Sequence, residues 1–117
     1  MLHQRHWTPE QANHVLPIVG DRVRSLRDAR RRLAERELAP EFEGWPGIDH
    51  ARDAVEVALG FEWLERLDIV VRDLERGLVD FPALIDGSEV YLCWLLDEPA
   101  VGHWHAIEGG FAGRRPL

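Results

Sequence analysis

The chain has 117 residues, 45% hydrophobic and 30% charged, with a net charge of −7 and a pI near 5.3. That size and balance predict a single domain, 1–117, with one modest core, and the excess of acids opposes nucleic acid, whose phosphates call for cationic partners. All fourteen cationic residues are arginine, which excludes Schiff-base lysines and the phosphate-binding lysine of a P-loop, while a lone cysteine excludes an internal disulfide.

The start, Met1-Leu2-His3-Gln4-Arg5-His6-Trp7, lacks the apolar centre of a signal peptide. The longest apolar run, Val90 to Leu96, falls far short of the roughly 20 residues that span a bilayer. The expectation is a cytoplasmic protein without a membrane partner. Aliphatic hydroxyls are limited to Thr8, Ser25 and Ser88, none in a nucleophile-elbow pattern, so Cys93 is the one side chain with nucleophilic character.

Thr8-Pro9-Glu10-Gln11 predicts a helix start, because Thr8 and Gln11 can cap reciprocally and Pro9 occupies a position that needs no N–H donor. Ala12, Leu16, Val19, Val23, Leu26 and Leu33 then recur at helical spacing, interrupted at Arg30, and predict a first helix over 8–38. Pro17 predicts a kink or break within it. Pro40 and Glu43-Gly44-Trp45-Pro46-Gly47 mark a connection. A second helix is expected over 49–67, presenting Ala51, Val55, Leu59, Trp63 and Leu67 to its neighbour, with Ala54 and Ala58 allowing close approach. Residues 21–36 hold seven arginines against three acids, and residues 49–68 hold six acids against two arginines, so the two helices should pair antiparallel with complementary charge.

After Leu67 the pattern alternates, and strands are expected at 69–72, 78–83, 90–96 and 101–106, turning at Arg76-Gly77, Asp86-Gly87 and Asp97-Glu98-Pro99. The fold class is therefore α+β: a long N-terminal helical hairpin packed on one face of a small antiparallel meander, followed by a Gly/Arg tail over 107–117. A two-residue hairpin at Asp86-Gly87 sets a register by counting. Ile85 faces Ser88, Phe81 faces Leu92, Asp80 faces Cys93 and Val79 faces Trp94. Val79, Phe81, Val90, Leu92 and Trp94 then point to the helices. If Trp104 joins them, alternation sends His103 and His105 to the side of Asp80 and Cys93.

That grouping admits three chemical readings, each beside a plain one. Asp80, Cys93 and His105, with His103, Glu98 and Glu108 as further candidate ligands, have the donor types for a divalent metal such as zinc. The plain alternative is a polar brace, in which His105 is a hydrogen-bond partner for a buried Asp80 and Cys93 is a small apolar filler. Cys93 as nucleophile with a histidine base and Asp80 as orienter is a second reading, which a buried thiol argues against. Third, Gly109, Gly110 and Gly113 with Arg114 and Arg115 could hold an anion, but the plain alternative packs Phe111 inward and pairs Arg114 with an acid such as Asp80.

The motifs Gly77-Leu78-Val79-Asp80-Phe81-Pro82-Ala83, Tyr91-Leu92-Cys93-Trp94, Trp104-His105 and Gly110-Phe111-Ala112-Gly113-Arg114, with Leu16-Pro17 in the first helix, carry a resemblance over essentially the whole chain. It resembles a family of small prokaryotic proteins, domain of unknown function 2203. The resemblance implies a self-contained domain, but no activity, substrate or cofactor. It also implies that Trp104-His105 is the recurrent pair and that an aromatic is common where this chain has His103, which weights Asp80, Cys93, His105 and Arg114 above His103. The expectation is a non-enzymatic homodimeric binding module, dimerising through its helices, with no assigned catalytic residue. A metal-binding protein and a Cys-dependent enzyme are the alternatives.

Overall fold

The computed structural model describes residues 1–38 and 47–117; the expected connection at Pro40 and Glu43–Pro46 lies outside the described residues. Two helices, α1 (Pro9–Leu38) and α2 (Ile48–Arg66), precede five strands: β1 (Val70–Asp73), β2 (Leu78–Ile85), β3 (Ser88–Leu95), β4 (His103–Ala106) and β5 (Arg115–Pro116). The strands form one antiparallel sheet in chain order, and the helices pack on each other as a hairpin over one of its faces. No helix among the described residues is long and apolar enough to cross a membrane.

Thr8 caps α1 as its sequence implies: the Gln11 N–H donates to Thr8 Oγ1 and the Thr8 N–H to Gln11 Oε1, both at 3.1 Å. The helix runs through Pro17 without the break that was one of the two expected outcomes there. Pro17 lies on the exposed side, and Ala12, Leu16, Val19, Gly20, Val23, Leu26 and Ala29 are buried along the other. Burial of that stripe outweighs the single N–H that proline removes.

The expected face of α2 needs correction. Trp63 and Leu67 of the expected row pack on the core, and Asp53, Gly60 and Leu64 are buried, whereas Ala51, Val55 and Leu59 point to solvent. Two features turn the helix this way. Gly60 lets Leu26 approach so closely that a β-carbon there would sit 3.1 Å from Leu26 Cδ1. Asp53, 5% exposed, is clasped by Arg32 and Arg36 of α1. The expected charge pairing of the helices thus narrows to this clasp and the Arg32–Glu56 pair, while Arg31 and Arg24 reach Glu75 and Asp97 in the sheet loops.

The hairpin register matches the count from Asp86-Gly87, with Ile85↔Ser88, Phe81↔Leu92, Asp80↔Cys93 and Val79↔Trp94. Asp86 and Gly87 have φ of 50° and 79°, the two positive angles a type I′ turn requires. The first strand starts one residue later than expected and bulges between Val71 and Asp73. The last expected strand shortens to His103–Ala106, and the tail adds β5, which was not foreseen. Asn13 of α1 stands in for a strand partner ahead of β4, accepting from the Val101 N–H at 2.7 Å and donating to its carbonyl at 3.3 Å.

Glu89 anchors residues 1–7 to the sheet. Its carboxylate accepts the N–H groups of Leu2 and His3 and faces His6 Nε2 at 2.7 Å. Trp7 continues this strap, donating its N–H to the Pro82 carbonyl and its indole N–H to the Leu67 carbonyl. The His6 hydrogen bond, aided by the two N–H donors, lowers Glu89 to about 2, and the Arg32 and Arg36 hydrogen bonds lower Asp53 to about 2. Both carboxyls sit below their ordinary values, so the stability they give is present above about pH 4.5 and lost as pH falls toward 2. Asp53→Asn and Glu89→Gln should each lower the melting temperature at pH 7 and flatten the fall in stability across that acid window, as thermal melts in a pH series would record.

Candidate functional site

Asp80 on β2, Cys93 on β3 and His105 on β4 occupy the sheet face turned away from the helices. Cross-strand pairing sets Asp80 against Cys93, and Tyr91↔His105 places the imidazole one diagonal away. The three residues are 1%, 1% and 2% exposed, and one ligand atom from each lies within 4.8 Å of the others.

Arg72, the residue that sequence reasoning missed, closes this group. Its Nε donates to Asp80 Oδ2 at 2.9 Å, and His105 Nε2 meets the same oxygen at 2.9 Å. His105 Nδ1 faces the Ala106 carbonyl at 2.7 Å. Both ring nitrogens therefore face oxygen atoms, Nε2 the Asp80 carboxylate and Nδ1 the Ala106 carbonyl. The Arg72 guanidinium also lies 4.7 Å from the Tyr91 ring centre, and the Tyr91 hydroxyl is 2.7 Å from His3 Nε2. Alternation along β1 would have put Arg72 on the Asp80 side, since Val70 pairs with Asp80, but the bulge hides that register from the sequence.

Asp80 Oδ1 is buried without a hydrogen-bond partner among the described residues. Burial, reinforced by the Asp80 charge, pushes the Cys93 thiol up to about 11, although Arg114 acts the other way. A nucleophilic cysteine requires a thiolate in an open pocket. Cys93 is a buried thiol, so the geometry gives the Cys-dependent reading no support.

The other candidates lie apart from the cluster. His103 pairs with Cys93 across the strands, but its Nδ1 approaches Glu98 Oε2 only to 3.9 Å. Glu98 is held by the Arg114 guanidinium through two hydrogen bonds, of 3.0 and 2.6 Å, and by the Leu95 N–H. That pair holds Glu98 below the usual carboxylate range and raises Arg114. Arg114 therefore pairs with Glu98 rather than with Asp80, whose arginine is Arg72. Phe111 is half-buried between Arg76 and Arg114, 4.8 and 4.6 Å from its ring centre, rather than sunk in the core. Arg115 is exposed and lies over Trp104. Glu108 is exposed at the mouth of a cavity of about 250 Å³ that Asp80, His105 and Arg72 also line.

A helical hairpin on an antiparallel meander, with a buried Asp-Cys-His group roofed by arginines, defines a small α+β domain carrying one polar site. The family model described as "Uncharacterized conserved protein (DUF2203)" matches residues 5–117, and the chain belongs to that family. No curated protein and no solved structure matches it.

Proposed function

We propose that the domain is a non-enzymatic interaction module that works as a homodimer, with Arg72, Asp80 and His105 as the brace that holds its sheet in shape. The observation that carries this reading is the outward face of α2. Ile48, Val55 and Leu59 are 77%, 56% and 56% exposed and follow one another at helical spacing. Ala51 and Ala58 lie on the same side, small enough for another helix to approach closely. An exposed apolar row of this kind is a liability in a monomer and the core of a seam in a dimer.

The self-complementary apolar row favours a second copy of α2 as the occupant, although the helix carries more acids than arginines. An antiparallel pairing about a two-fold axis between Val55 and Ala58 would bring Arg52 of each copy near the partner's Glu62, in exchange for the exposed Arg52–Asp49 and Arg66–Glu62 pairs within the helix. The lone reduced cysteine suits a reducing compartment such as the cytoplasm. Sedimentation equilibrium should return twice the chain's 13.5 kDa. Val55→Glu should raise the dissociation constant about 100-fold, since each of two buried carboxylates costs about 1–3 kcal/mol. A monomer at all accessible concentrations would overturn the reading.

A second reading rests on the partnerless Asp80 Oδ1 beside the Cys93 thiol and His105: a single zinc-type cation held by Asp80, Cys93 and His105. It asks His105 Nε2 to give up its proton and turn from Asp80 Oδ2 to the ion, next to the positive charge of Arg72, which is why the brace is preferred. Protein purified without chelator or tag metal should contain far less than one zinc per chain and gain no thermal stability from added zinc. One zinc per chain, lost in Cys93→Ser, would establish the metal reading instead.

A further inference from the structure

A separate groove lies where the N-terminal strap crosses the start of α1 and the end of α2. Its volume is about 940 Å³, within the range of small-molecule sites. Trp7, Val15 and Leu67 give it an apolar floor. Trp7 is fixed there, 8% exposed, by its indole hydrogen bond to Leu67 and its T-shaped contact with Phe81. The floor is therefore formed before any ligand arrives.

The rim carries one fixed cation, Arg5, and one acid, Glu10, together with His6 and His14. His6 is already committed to Glu89, which leaves Arg5 as the guanidinium of the lining. Arg5 is held by its backbone, through its N–H to Asp68 Oδ2 at 3.2 Å. Its guanidinium lies 5.8 Å from the Trp7 ring centre and makes no ion pair among the described residues. A guanidinium positioned by its main chain, stacked on an indole and free of an acid, is equipped to take a carboxylate.

We infer that this groove binds a small apolar monocarboxylate, with the carboxylate on Arg5 and the hydrocarbon body on Trp7, Val15 and Leu67. None of Ile48, Val55 and Leu59 lines it, and the inference does not depend on the dimer.

Octanoate, octylamine and octanol can be titrated into the ¹⁵N-labelled protein while the Trp7 indole and the Arg5 and Val15 amide resonances are followed. Octanoate should bind with a dissociation constant below a millimolar and shift those resonances, while octylamine shifts none of them. Arg5→Gln should weaken octanoate at least about tenfold, the scale of one charge-assisted pair, and Arg5→Lys should recover part of the loss. Equal binding of octanoate and octylamine, no binding at millimolar octanoate, or unchanged affinity in Arg5→Gln would overturn the inference. So would a change in sedimentation mass on adding octanoate or on mutating Arg5, which would make the groove a contact between copies.

Discussion

Asp80→Ala should cost about 1–3 kcal/mol of folding stability, the range for leaving a buried polar group without its hydrogen-bond partner. The carboxylate is 1% exposed, and its Oδ2 alone holds β1 through Arg72 and β4 through His105. Without it the buried His105 imidazole loses its carboxylate acceptor, and Arg72, whose side chain is 42% exposed, is left to water. Asp80→Asn, which keeps the volume and one oxygen, should cost less. Urea unfolding of both variants beside the wild type checks the order, and a double-mutant cycle of Asp80→Ala with Arg72→Ala should return a coupling of about 0.5–3 kcal/mol. Additive effects would mean that Arg72 is an ornament and not part of the brace.

Gly77→Ala should cost about 2–4 kcal/mol, combining the strain of a side chain at positive φ with overpacking. Gly77 has φ +68°, and a β-carbon there would lie 2.4 Å from Leu96 Cβ, an atom tied directly to backbone. That backbone cannot withdraw, because the Leu96 N–H donates to the Gly77 carbonyl at 2.9 Å. Gly87 provides the comparison: its φ is +79° but nothing lies within 4 Å of the added atom. Gly87→Ala should therefore cost only the conformational part, about 1 kcal/mol. Similar urea midpoints for the two variants would contradict the packing argument.

The part of the site built by a tight turn and strict alternation was legible before the fold was seen. Asp86-Gly87 fixes where β2 and β3 begin to pair, so counting outward finds Asp80 opposite Cys93, and the two-residue period carries His105 to the same side. Arg72 was not legible, since the bulge in β1 breaks the count between Gly77 and Val70. Nor was the Glu98–Arg114 pair, for which several acids were equally plausible partners until the tail was placed. The same holds for the strap of residues 1–7, whose hold on Glu89 follows no periodic pattern.

The rotation of α2 was misread for a different reason. That helix has two apolar arcs, one with Val57, Gly60 and Leu64 and the other with Ala51, Val55 and Leu59. Periodicity selects the longer row at i, i+4 spacing, because it runs on from Leu59 into Trp63 and Leu67, which do pack on the core. The contact with α1 instead uses the arc with the glycine and Asp53, because close approach at Gly60 and the double arginine clasp outweigh the larger side chains. Ala51, Val55 and Leu59 are thereby left facing out, which is the basis for reading them, with Ile48, as a seam.

Cross-linking at that seam tests the account most directly. Ala58→Cys places a thiol beside the proposed two-fold axis, while native Cys93, buried and with its thiol pushed up to about 11, stays silent. A short bismaleimide should convert Ala58→Cys to covalent dimer at concentrations where the protein sediments as a pair, and should leave the wild type and Asp86→Cys, at the sheet hairpin, uncoupled. Failure of Ala58→Cys to couple, or equal coupling through Asp86→Cys, would contradict a dimer built on the outward face of α2.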